Sequence, residues 1–312
     1  MRRLSCSFWV VAAMLPFLAA CAALPPSPPP RTLPDPVSMP VAVEPAGLVV
    51  EASVNGGAPA PFLLDTGLSD AHVLDRPAAV ALGLSGRGVT LVGSWSGYSG
   101  ASLTTVDSVS IGPVVMERPP VAVMALPDGM TDREQAPRFA GVVGQPLFHA
   151  YAVTIDAPAG RMTLSSGYTP PSDALILPIR MVNGLPAVEA AVAGVRVLLQ
   201  IDTGDFGEVT LYEDAVRRLR LQDALGGGEE RQAMAAGGRF AYRRHGASGL
   251  TLAGEEMGSV ELHVAPRGTL FRSAEHGTIG LGLLRRFRFT VDQPGGRLVL
   301  ERLGGTSPAG VH

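Results

Sequence analysis

The stretch APFLLDTGLSD, residues 60–70, runs apolar residues straight into Asp65-Thr66-Gly67, so a carboxylate stands where a buried strand should end in a turn. Asp and Gly are ordinary turn formers. On average composition a chance Asp-Thr-Gly occurs in roughly one chain in ten or twenty of this length, so a single copy decides nothing. There is a second copy, in VRVLLQIDTGDFGEVTLYEDAVRRLRL, residues 195–221. At a shift of 137 residues Asp65, Thr66 and Gly67 fall on Asp202, Thr203 and Gly204. The matches continue without a gap, with Leu74, Ala78, Leu82 and Leu84 on Leu211, Ala215, Leu219 and Leu221. Upstream, VVEASVNG parallels PAVEAAVAG, and both alternate as half-buried strands do.

The ends of the two halves agree as well. GVVGQPLFHAYAVTIDAPAGRMTLS begins at Gly141 and GTIGLGLLRRFRFTVDQPGGRLVLE begins at Gly277. At a shift of 136 they share Gly144/Gly280, Leu147/Leu283, Thr154/Thr290, Asp156/Asp292, Gly160/Gly296, Arg161/Arg297 and Leu164/Leu300. DAPAG and DQPGG each separate two apolar runs and read as hairpin turns. The chain is thus two copies of one β unit, over residues 41–165 and 178–303, joined by a turn-rich linker at 166–177 and followed by a tail at 304–312.

Composition fits this. Hydrophobics at 46% and charged residues at 17% are globular values, and 38 Gly with 27 Pro favour a turn-rich β protein over a helical one. The 25 basic residues are all Arg, which excludes a Lys nucleophile or a Schiff base. A net charge of −3 offers no basic field for nucleic acid. The six His (72, 149, 245, 263, 276 and 312) have no metal-ligand spacing, so neither metal nor cofactor is expected. Gly280-Leu281-Gly282 lacks the third Gly of a dinucleotide fingerprint and sits outside any βαβ unit. GYSGAS lacks the spacing of a nucleophile elbow, and a Ser hydrolase would leave the repeat unexplained.

The first 20 residues read as a secretory signal: two Arg, an apolar run, then small residues before Cys21. Leu18-Ala19-Ala20-Cys21 resembles a bacterial lipobox, which implies cleavage before Cys21 and lipidation of its thiol. Cys6 leaves with the signal, so no disulfide is possible within the mature chain. Ala22, rather than Asp, follows the Cys, which by the same resemblance favours the outer membrane, facing the periplasm. Residues 22–40 are Pro-rich and expected to form an extended tether on the order of 50–60 Å long.

Within each half the expected order is a strand pair, Asp-Thr-Gly, a short helix (residues 76–83 and 212–219), a Gly-rich hairpin, further strands, a second short helix and a closing hairpin. Each half therefore resembles a retropepsin-type aspartic protease unit, carried by FLLDTGLSDAHVLDRPAAVALGL with GVVGQPLF, and by LLQIDTG with TIGLGLL. Viral retropepsins assemble two identical units and pepsins fuse two diverged ones; this chain resembles the fused arrangement. The resemblance implies an all-β, bilobal, pepsin-like fold with a central cleft, working as a monomer on a polypeptide substrate. It assigns catalysis to Asp65 and Asp202, and cross-linking of the two loops to Thr66 and Thr203. Gly67 and Gly204 would allow close approach of backbone to carboxylate, and Gly144 and Gly280 would lie behind each loop.

The chemistry explains the need for two copies. Hydrolysis by this route holds a water between two carboxyl groups, one ionised to take its proton and one protonated to polarise the peptide carbonyl. Two carboxylates within about 3 Å cannot both ionise cheaply, so they share a proton. Two positions depart from the family, which commonly has Ser or Ala after the Gly; here Leu68 and Asp205 follow. Asp205 is expected to point outward, as a solvated turn residue. Pointing inward, it sets a third negative charge beside the pair. GSWSGYSGAS, residues 93–102, falls where the family closes a flap over substrate, with Trp95 or Tyr98 as the contact, and AMAAGGRFAY, residues 233–242, is in the related place. The function expected is an aspartic endopeptidase on periplasmic polypeptides; the rival is an inactive, protease-like lipoprotein that binds a peptide or partner in the same cleft.

Overall fold

The computed structural model describes residues 29–303, apart from residues 69, 95–96, 129–136, 236–237, 247–248 and 267–273. Cys21 and Trp95 lie outside the described residues, as does the side chain of Tyr98.

Each repeat forms a ten-stranded sheet, and the two sheets have the same strand order, element for element. In the first lobe Gly47–Val54 pairs antiparallel with Ala60–Leu64, whose last residue delivers the chain to Asp65. Gly141–Val143 lies between Ala60–Leu64, to which it is parallel, and His72–Asp75, to which it is antiparallel. The second lobe repeats this with Val195–Asp202, Gly277–Gly280 and Val209–Tyr212. Each Asp-Thr-Gly turn therefore crosses the end of a strand that arrives from far along the chain.

The strands leading to the turns are apolar on both faces because both faces are covered. Phe62 and Leu64 enter the main core, while Leu63 meets Val49, Val73 and Val142 on the other side. In the second lobe everything from Val197 to Asp202 is buried. Each such side chain contributes about 1.5–3 kcal/mol of burial, so the carboxylates sit on the least deformable part of each lobe. Short helices follow at Arg76–Ala81 and Glu213–Arg218, inside the expected segments. Hairpins Arg87–Ser94/Gly97–Thr105 and Glu229–Ala235/Gly238–His245 stand at the two Gly-rich stretches.

A third sheet of six strands joins the lobes, in the order Val37–Pro40, Arg161–Ser165, Ala152–Asp156, Phe287–Asp292, Arg297–Arg302, Leu175–Pro178. Its centre is the pseudo-twofold axis. There Thr154 pairs with Thr290, the same position of each repeat, and their buried hydroxyls meet at 2.8 Å.

Two sequence boundaries shift. Part of the stretch expected as tether is bound to the body: Tyr151 Oη donates to the Arg31 carbonyl, Leu33 packs on the core, and Val37–Pro40 is an edge strand paired with Arg161–Leu164. Leu33, Val37 and Met39 supply the apolar contacts that a free proline spacer would lack, so the spacer is shorter than the sequence suggested. Likewise Leu175–Pro178, at the end of the expected linker, forms the opposite edge. Among the described residues no helix is long and apolar enough to cross a membrane.

A buried histidine of the first lobe has no counterpart in the second. His72 is 2% exposed, and its Nδ1 accepts the Gly144 N–H at 3.1 Å. The proton is then on Nε2, which has no partner among the described residues. In the second lobe Val209 stands there, and the Gly280 N–H donates to the Glu208 carbonyl instead. Burial pushes the His72 imidazole down to about 3. Between the ordinary value near 6.5 and about 3, the unfolded chain takes up a proton that the folded chain refuses. Stability is therefore full above the unfolded value and falls as the pH drops below it. A His72→Val variant should lose about 1–3 kcal/mol at pH 7.5 but show an acid loss, from pH 7.5 to 4.5, smaller than wild type by roughly 2–3 kcal/mol. Urea midpoints at the two pH values measure both.

Candidate active site

The two Asp-Thr-Gly turns meet at the axis and hold each other. Thr66 Oγ1 accepts the Thr203 N–H at 2.9 Å and donates to the Ile201 carbonyl at 2.8 Å. Thr203 Oγ1 accepts the Thr66 N–H at 3.0 Å and donates to the Leu64 carbonyl at 3.0 Å. Both threonines are fully enclosed, at 0% and 1% exposure, so these four bonds are made without competition from water. They fix the placement of the residues immediately before them, Asp65 and Asp202, on either side of the axis.

The glycines are required by contact. A Cβ on Gly67 would lie 2.6 Å from Asp202 Oδ1, and one on Gly204 would lie 2.7 Å from Asp65 Cγ. Each carboxylate thus rests against the glycine of the other loop. Gly144 and Gly280 pack as closely behind their own loops: a Cβ on Gly144 would be 2.8 Å from the Ala71 carbonyl, and one on Gly280 would be 2.2 Å from that of Gly207. The Gln145 N–H donates to the Leu68 carbonyl and the Leu281 N–H to that of Asp205, the same bond in both lobes.

Burial pushes both carboxyl groups up, Asp202 well above the usual carboxylate range. For Asp202 the negative charges of Asp65 and Asp205 add to the desolvation. For Asp65 the N–H groups of Gly67 and Gly204 oppose it. The pair is therefore built to retain a proton at a pH where isolated carboxyls have lost theirs.

Asp205 corrects the sequence reading. It does not point out to solvent. Oδ1 accepts the Gly207 N–H at 2.8 Å, and Oδ2 accepts the hydroxyls of Thr210 and Thr278. Three donors hold its charge inside the second lobe, which offsets the cost of taking it out of water. Leu68, its counterpart, packs instead against an apolar cluster containing Val73 and Val142.

Residues that carried no signal in isolation also belong to the site. Gln145, fully buried, donates through Nε2 to the Thr66 carbonyl and accepts through Oε1 from Gln293 of the other lobe. The Tyr242 ring on the second hairpin packs, tilted by 45°, against His263 at 4.5 Å between centroids, and the His263 ring lies next to Gly207. The alternation of Phe240 and Tyr242 with exposed residues was the available clue. Ser99 of the first hairpin and Gly238 of the second line one cavity of about 730 Å³ with Val80, Leu126 and Arg138. That cavity includes neither Asp65 nor Asp202. The contact expected from Trp95 or Tyr98 lies outside the described residues and side chains. Among the described residues no cluster of three or more His, Cys, Asp or Glu could hold a metal ion.

Residues 50–147 match the sequence model of the aspartyl protease family. No curated protein matches the chain. Among solved structures, the aspartic proteinase from Irpex lacteus superposes with a TM-score of 0.57 over 88% of this chain and 99% of that one, at 15% identity. The fold is therefore the all-β, pepsin-like one.

The mutual grip predicts the energetics of its loss. Thr66→Val keeps the volume but leaves the Thr203 N–H and the Ile201 carbonyl unpaired and buried, at a cost of about 2–4 kcal/mol. Thr66→Ser should recover most of it. Urea midpoints of the three proteins, at unchanged m, measure the difference.

Proposed function

We propose that this chain is an aspartic endopeptidase that hydrolyses peptide bonds in polypeptides of a bacterial envelope, through a water held by Asp65 and Asp202. What carries the reading is the pair of carboxyl groups, each seated against the glycine of the other loop, on loops locked by Thr66 and Thr203. A water between them meets one ionised and one protonated group. The ionised carboxylate takes a proton as the water oxygen attacks the peptide carbon; the protonated one gives its proton to the carbonyl oxygen. The resulting tetrahedral diol then breaks its C–N bond as a proton passes to the leaving nitrogen. No cofactor is needed, since the pair exchanges protons without net gain. The two hairpins, which share a cavity near their tips, are suited to lie across an extended polypeptide.

The leader and Cys21 add an address. The chain is read as a lipoprotein of the outer membrane facing the periplasm, the remaining proline spacer holding the lobes off the bilayer. In the full chain, Cys21→Ser should abolish incorporation of labelled palmitate and shift the protein from the membrane to the soluble fraction.

A second reading, a peptide-binding lipoprotein without turnover, draws on Leu68, which removes a hydroxyl beside the first carboxylate, and on the extra charge of Asp205. One experiment separates the two. The purified lipoprotein in detergent is given an unfolded protein from pH 3 to 8, with and without pepstatin, beside Asp65→Asn and Asp202→Asn. Cleavage should be blocked by pepstatin and lost in both variants by a factor of about 10³ or more. Because both carboxyls are held up, activity should persist above the usual carboxylate range and fall only as the shared proton leaves. A folded wild type that cleaves nothing at any pH, yet binds the substrate, would establish the second reading.

A further inference from the structure

The two lobes repeat each other closely except behind the aspartates, and there three positions change character together. Leu68, Val73 and Val142 of the first lobe correspond to Asp205, Thr210 and Thr278 of the second. The first three are apolar and pack in one cluster. The second three are bonded to one another, with both threonine hydroxyls donating to Asp205 Oδ2. A carboxyl side chain stands behind Asp202 with three donors aimed at it, while Asp65 is backed by hydrocarbon.

The hydrogen bonds to the two carboxyls differ in the same sense. Asp65 Oδ1 accepts the Gly67 N–H at 2.6 Å. Asp202 Oδ1 accepts the equivalent Gly204 N–H at 3.0 Å and the Asp205 N–H at 3.2 Å. Short bonds accompany an ionised acceptor and longer ones a neutral carbonyl oxygen. Asp202 is also the more deeply buried, at 9% exposure, where Asp65 is half-buried. Its Oδ1 being occupied by two N–H donors, Oδ2 remains to carry a proton toward Asp65.

We propose that Asp205, held by Thr210, Thr278 and the Gly207 N–H, is a positioning residue that breaks the equivalence of the two aspartates and keeps the shared proton on Asp202, leaving Asp65 as the base. This rests on the endopeptidase reading for its consequence, since it assigns the proton-accepting role to Asp65 and the carbonyl-polarising role to Asp202. The other charged or titratable groups around the cage are His263, whose Nδ1 lies near Gly207 and whose Nε2 pairs with Glu261 at 2.8 Å, and Glu208, which is paired with Arg286. Both acids are paired with cationic or titratable partners, whereas Asp205 is held by neutral donors and adjoins Asp202, to whose Oδ1 its own N–H donates. The direction agrees: burial and the charges of Asp65 and Asp205 hold Asp202 well up, whereas for Asp65 the N–H groups of Gly67 and Gly204 oppose its burial and come ahead of the upward push from Asp205.

The test is ¹³C NMR of the aspartate side-chain carboxyl carbons in the full lipoprotein in detergent, titrated from pH 3 to 9 and assigned with Asp65→Asn and Asp202→Asn. It is repeated in Asp205→Asn, which keeps the shape, and in the triple variant Asp205→Leu/Thr210→Val/Thr278→Val, which copies the first lobe. In wild type the Asp202 carbon should carry the larger part of the upper titration step. In both variants that step should move down by about one pH unit and divide more evenly between the two carbons. If Asp65 carries the upper step in wild type, or if Asp205→Asn leaves the step within about 0.2 unit of wild type, the proposal is wrong. Should the triple variant not fold, Asp205→Asn alone decides. The titration needs no turnover. A protein that titrates as expected but cleaves nothing would sink the endopeptidase reading and leave this assignment standing.

Discussion

Everything at the centre of this molecule depends on two threonine hydroxyls, each acting as donor and acceptor across the pseudo-twofold axis. A hydroxyl has one proton to give, so the pattern closes only if the loops are related by a near-exact half turn. Once it closes, the residue before each threonine has no freedom of position. Asp65 and Asp202 are pressed together at a separation neither would choose in water, each against the glycine of the other loop. Proton sharing follows from that geometry: two negative charges so close and so far from solvent are more costly than one.

The grip in turn needs lobes that cannot slide. The six-stranded sheet supplies this, with Thr154 and Thr290 on the same axis as the loops. The Gln293–Gln145–Thr66 chain ties the closing hairpin of the second lobe to the first loop. Gln145 has no twin, because Leu281 stands at its place. A dimer of identical units could not carry such a one-sided bond, nor the His72/Val209 or Leu68/Asp205 differences. Fusion of the units is what lets each half be adjusted separately around an arrangement that must remain symmetric at its middle.

What the sequence made legible is what symmetry repeats. The Asp-Thr-Gly loops, the short helices after them and the closing hairpins recur at a nearly constant shift, and two copies of a pattern identify it where one would not. What escaped was set by contacts between distant segments. Asp205 reads as a turn residue until Thr210 and Thr278 are seen to enclose it, and Thr278 is brought there by a strand arriving 73 residues later. The clue existed, since all three positions change from apolar to polar between the halves, but it shows only once the strand pairing is known. The N-terminal strand was hidden for another reason. Val37–Pro40 lies in a proline-rich run and is an edge strand, where proline is tolerated because one side of the ladder is unpaired.

Two features set opposing limits on the acidity in which this fold can work. His72 refuses its proton down to about 3, so every step into acid favours the unfolded chain. The aspartates pull the other way: with both carboxyls held up, the folded state retains a proton that the unfolded chain releases, and that contribution is lost as the pH rises through the folded values. A pair tuned for strong acid would gain nothing from a third carboxylate beside it, and a lobe meant for strong acid would not bury a neutral imidazole behind its loop. Asp205 raises the upper limit and His72 raises the lower one. Together they move both limits upward in pH from where isolated groups would set them.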